Sequence, residues 1–112
     1  MAYDAITPVK MGQGSIGTSA TTRYTVPALT RAIVTSISIC NTSTTASINV
    51  SVYVVPSGGS PGATNILLSN IALPPNGVFD MTGALVMNPG DFISDISSAA
   101  GCTITITGGE AL

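Results

Sequence analysis

RAIVTSISICN, residues 31–41, and ASINVSVYVVP, residues 46–56, decide the fold. In the first, Ile33, Thr35, Ile37 and Ile39 alternate with Val34, Ser36, Ser38 and Cys40. In the second, Ile48, Val50, Val52 and Val54 alternate with Asn49, Ser51, Tyr53 and Val55. A period of two sends successive side chains to opposite faces of an extended chain, and β-branched residues fit that pleated surface. Both stretches therefore read as half-buried strands. CTITITG, residues 102–108, repeats the pattern with Cys102, Ile104 and Ile106 on one face and Thr103, Thr105 and Thr107 on the other.

Turn residues divide the rest of the chain evenly. Asn41 to Thr45, Ser57 to Gly62, Pro74 to Gly77, Asn88 to Asp91 and Ser98 to Gly101 are clusters of Pro, Gly, Asn, Ser and Thr, each with its own reason to bend. Asn88-Pro89-Gly90-Asp91 has the chemistry of a type II turn, and predicts that its flanking strands are neighbours. Strands are expected near 21–26, 31–41, 46–56, 67–73, 77–82, 84–87, 91–97 and 102–108. Thr64 to Ser69 fits one helical turn equally well, because Ile66, Leu67 and Leu68 suit either period. Seven or eight short strands predict an all-β, two-sheet antiparallel β-sandwich, jelly-roll or immunoglobulin-like.

Residues 1–20 read differently. Gly12, Gly14, Gly17 and one proline interrupt any alternation, so this segment is expected to be an N-terminal arm, with residues 21–112 forming the sandwich domain. Ile6, Val9, Met11 and Ile16 are its apolar anchors, suited to lying along a partner. The uncharged loop Ser57-Gly58-Gly59-Ser60-Pro61 is the second candidate contact.

Composition bounds the function. The 112 residues suit one domain that buries roughly two thirds of its unfolded surface. Hydrophobic residues make up 45% and charged residues 7%, against about a quarter charged in ordinary soluble domains. Uncharged Ser, Thr, Asn and Gly cover the remainder, and such a surface loses water at low cost. Self-association as a trimer or dimer is the expectation. With only Lys10, Arg23 and Arg31 basic and a net charge of −2, no basic stripe is available for nucleic acid. No apolar run is long enough to span a membrane, and Met1 to Lys10 lacks the features of a signal peptide, so synthesis in a cytoplasm is expected.

Catalytic chemistry finds few candidates. There is no histidine, and general acid–base or nucleophilic catalysis needs a group titrating near neutrality beside the reacting atom. Lys10 would be solvated in the arm. Asp91 and Asp95 share strand parity but lie about 13 Å apart at strand rise, so they read as surface charges, with Asp91 serving its turn. Asp80 joining one of them in a calcium site is a weaker alternative. Gly58 to Gly62 opens no helix and offers no lysine, which argues against phosphate binding. Cys40 and Cys102 fall on opposite faces by parity and are expected to be free thiols. Neither an enzyme nor a cofactor or metal is expected.

Tyr24-Thr25-Val26-Pro27, Thr30-Arg31-Ala32-Ile33-Val34 and Ile39-Cys40-Asn41-Thr42 resemble small virion proteins of tailed bacteriophages. The likeness continues in order through Val52-Tyr53-Val54-Val55-Pro56-Ser57-Gly58-Gly59, Leu85-Val86-Met87-Asn88-Pro89-Gly90-Asp91 and Ser98-Ala99-Ala100-Gly101, covering roughly residues 21–108. Such proteins are typically β-sandwich capsid decoration, or cement, proteins; some relatives sit on fibres or at the head–tail junction. The resemblance implies a virion structural protein on the capsid surface with the major capsid protein as partner. A head-fibre, tail or baseplate adhesion module is the alternative, followed by a carbohydrate- or calcium-binding sandwich module.

Overall fold

A computed structural model describes residues 6–111. Eight strands form: β1 (Thr7–Ile16), β2 (Thr21–Thr25), β3 (Arg31–Asn41), β4 (Ile48–Val55), β5 (Ile66–Leu73), β6 (Val78–Met87), β7 (Phe92–Ser97) and β8 (Cys102–Ala111). They build two antiparallel sheets of four, ordered β1-β8-β3-β6 and β2-β7-β4-β5. Strand one pairs with eight, two with seven, three with six and four with five. The chain is thus one long hairpin wrapped around a core, which is a jelly roll rather than an immunoglobulin-like sandwich. Thr64 to Ser69 leads into strand β5 and forms no helical turn.

Between the sheets lies an aliphatic core. Ile16, Ile37, Ile39, Ile48, Ile93, Ile104, Ile106 and Met87 are fully buried with several valines. Phe79 and Tyr24 pack only against its margin. Branched aliphatic side chains on facing strands fill such a layer without a polar tip to satisfy.

The arm is the main correction. Residues 1–5 lie outside the described residues, as does Leu112, but Thr7–Ile16 is a full strand paired with β8. Its glycines have a packing reason. A Cβ on Gly12 would stand 2.6 Å from Cγ of Arg23, and one on Gly14 would stand 2.7 Å from its Nη1. Arg23 lies beneath them, with its Nε and Nη2 donating to Asp95 at 2.8 Å each and Nη2 also to the Ser15 carbonyl at 3.0 Å. Asp95 is fully buried in that pair, so the reading of it as a surface charge is also corrected. Glycine here makes room for a guanidinium rather than loosening the chain.

Register shifts explain a second difference. Against straight strand β8, β1 carries an extra residue at Met11 opposite the Ile106–Thr107 step and β3 one at Thr35 opposite the adjoining Thr107–Gly108 step; β6 is likewise irregular between Thr82 and Leu85. A bulge inverts the parity beyond it. Val34 therefore turns into the core and Ile33 turns outward, the reverse of simple alternation. The same irregularity lets 77–82 and 84–87, expected as two strands, run as one strand, β6.

The Asn88 to Asp91 turn connects β6 in one sheet to β7 in the other, so it makes a crossing between layers and not a hairpin. Connections cluster at two ends. One holds residues 17–20, 42–47, 74–77 and 98–101; the other holds 26–30, 56–65 and 88–91. At the first end, buried Asn41 donates through Nδ2 to the carbonyls of Ala46, Leu73 and Pro74 at 2.8–3.1 Å, and its Oδ1 accepts from Ser43 N.

Candidate functional site

The second end is built around Asp91. In the turn before it, Gly90 takes φ of 86°, as a type II turn needs, and Asp91 N donates to the Asn88 carbonyl at 3.1 Å. The carboxylate accepts from Asn88 N at 2.9 Å through Oδ2 and from Ser57 N at 3.1 Å through Oδ1. Its backbone carbonyl accepts from Val26 N at 2.9 Å, while Gly90 N donates to Val26 O at 3.0 Å. One aspartate thereby ties together three connections. The turn role expected for Asp91 is present and extends to a second loop.

Ser57, Gly58, Gly59, Ser60 and Pro61 are all exposed on this end. They form a hydrogen-bonded turn. Gly59 N donates to Pro56 O at 2.9 Å, Asn65 Nδ2 to Ser60 O at 2.9 Å, and Gly62 N to Asn65 Oδ1 at 2.9 Å. Gly58 supplies the positive φ of 81°.

The apolar anchors divide. Met11 and Ile16 are buried in the core, and Val9 is partly buried against it: pairing with β8 turns them inward. Ile6 is 62% exposed. It lines a shallow groove of about 170 Å³ with Arg31, Ala32, Ile33, Val86, Gly109 and Ala111. Gly109 forms its floor, where an added Cβ would stand 2.2 Å from Cγ2 of Ile6.

Three outward-facing apolar residues escaped the sequence reading. Ile33 and Val86 face outward because of the bulges. Leu29, in the connection from β2 to β3, is 83% exposed and holds φ of 58°. A leucine in that left-handed region costs roughly 1–2 kcal/mol relative to ordinary backbone. The signal in the sequence was an apolar residue inside Pro27-Ala28-Leu29-Thr30, where turn chemistry gives it no core to face.

The three aspartates among the described residues each hold a partner within the chain. Asp80 accepts from the Ser38 hydroxyl, Asp95 holds Arg23, and Asp91 holds its loops. No three of His, Cys, Asp or Glu come together among the described residues, which leaves the calcium alternative without a site there. Tyr24 donates to Glu110 between the sheets, and burial, reinforced by that bond, raises the phenol's pKa above its ordinary value. Cys40 and Cys102 are free. Burial, with a smaller contribution from Cys40, pushes the Cys102 thiol up, so it is no ready nucleophile.

No family model matches this sequence, and no curated protein does. The fold is similar to a chain in the structure of infectious bursal disease virus, Gx strain, with a TM-score of 0.53 and 10% identity over 96% of this chain and 32% of that one. A chain in the crystal structure of the T13 particle of the same virus aligns with a TM-score of 0.47 and 12% identity, over 96% of this chain and 30% of that one. The protein thus spans about a third of the chains it matches. At this identity the likeness establishes the sandwich fold.

Proposed function

We propose that this chain is a non-catalytic structural component of a virus particle: a decoration, or cement, protein made in the host cytoplasm. It binds the outer shell over junctions between major capsid subunits, and uses no cofactor. Leu29 carries the reading. An exposed leucine on strained backbone stabilises nothing within the chain, and such outliers point to function. Beside it stand the uncharged Ser57 to Pro61 turn and Asp91, whose carboxylate holds Ser57 and whose backbone carbonyl holds Val26, so the end is preorganised and loses little entropy on docking. The low charge supports assembly, since few ions must be desolvated. Likeness in fold to a chain in a virus structure supports a particle component, and the tailed-phage setting rests on the motifs in residues 21–108. Binding in many copies on a repeating lattice makes modest single-site affinity sufficient where one oligomer touches several subunits.

The test is location and copy number in purified particles, by quantitative mass spectrometry and electron cryomicroscopy. Hundreds of copies on the shell are expected. A handful at a fibre or tail would favour the adhesion-module alternative and overturn the decoration reading. Replacing Leu29 with Gly relieves the left-handed strain, so melting should stay within a few degrees of wild type while shell occupancy falls at least about tenfold.

A further inference from the structure

The outward face of the β1-β8-β3-β6 sheet is nearly uncharged at its centre, where Thr103, Thr105 and Thr107 of β8 lie beside Ser36 and Ser38 of β3. Among the described residues, apart from Arg31 at the start of β3, its charges stand at opposite edges. Lys10 is exposed on edge strand β1 and Asp80 is exposed on edge strand β6. Three inter-strand spacings, about 14 Å, separate those edges, so the two cannot pair within one chain. Through the register, Lys10 aligns with Thr107, Ser36 and then Thr82, two residues from Asp80. Beyond the bulges the next row is Pro8, Gly109, Ile33 and Val86, with the apolar groove at its centre.

We propose that this face pairs with the same face of a second copy about a twofold axis parallel to the strands. That operation lays β1 over β6 of the second copy and β8 over its β3. A cation on one edge and an anion on the opposite edge, at nearly the same level, is the pattern a twofold converts into two identical ion pairs. The remaining offset of about 7 Å along the strand lies within reach of the lysine stem. In the apolar row the same operation sets Ile33 of each copy over Gly109 of the other, against the Ile6 side chain that packs there. Two sheets stacked this way align within about 30°. Four strands of about ten residues present roughly 600 Å², close to the ~800 Å² per partner of a standard interface. Serines and threonines at the centre give up water cheaply. This pairing uses a different surface from the Leu29 end and does not depend on the proposed particle role.

The test is sedimentation velocity of the full chain over a wide concentration range, with Lys10→Asp, Asp80→Lys and an equal mixture of the two. Wild type is expected to dimerise. Each variant alone places like charges opposite each other twice, and should dissociate at least about tenfold more readily. In the mixture the charges become complementary across the twofold, and a heterodimer should form. Melting curves matching wild type confirm that each variant remains folded; if one does not, Lys10→Glu or Asp80→Arg takes its place. A wild-type monomer throughout, single variants that dimerise like wild type, or a mixture that stays monomeric each overturns the proposal.

Discussion

At one end of the sandwich the connections are held by the buried amide of Asn41; at the other they are held by the half-exposed carboxylate of Asp91. Asn41 is 0% exposed. Around it, Thr42 N donates to Gly101 O, Asn76 N to Ser43 O, and the Ser97 hydroxyl to Gly17 O. Polar groups are satisfied inside the chain there. At the Asp91 end the carboxylate and the backbone carbonyl of one residue hold loops that expose Leu29 and Ser57 to Pro61. The difference teaches where stability and adhesion reside. A closed, self-satisfied end holds the fold, and a preorganised end with an unpartnered apolar residue is available to another surface.

Asn41→Ala should have the largest effect on stability. It leaves the Leu73 carbonyl in a buried setting with one partner fewer and removes four hydrogen bonds, a loss of about 3 kcal/mol. Urea denaturation measures it. A change below about 1 kcal/mol would mean that the two ends do not differ in the way described. Asp91→Ala should cost less, about 1 kcal/mol, because water replaces much of what Ser57 N and Asn88 N lose. Its clearer signature is faster amide exchange at Ser57 and Asn88 with little change at Asn41. Leu29→Gly should have the smallest effect on stability and the largest on attachment, as given above.

The strands from β3 to β8 were largely legible because their alternation is local, and local pattern is what a single sequence displays. β1 was not. Gly12 and Gly14 look like loop residues until Arg23, which packs against them, is brought in from another strand. Asp95 reads as a surface charge for the same reason: its partner is 72 residues away. Parity in β3 failed at Thr35, since the bulge answers irregularities in neighbouring strands and leaves no local trace. Of the candidate site, the Ser57 to Pro61 turn was legible from its own chemistry, whereas Ile33 and Val86 depend on the bulges and Leu29 on a backbone angle. Met11 and Ile16 were read as partner anchors because an unrecognised strand hides which residues face the core.

Amide hydrogen exchange of the chain, free and bound to purified particles, tests the division between the two ends most directly. Slower exchange on binding is expected within residues 26–30, 57–62 and 88–91, with residues 42–47, 74–77 and 98–101 unchanged. Protection concentrated at the Asn41 end, or absent from the Asp91 end of the bound protein, contradicts it.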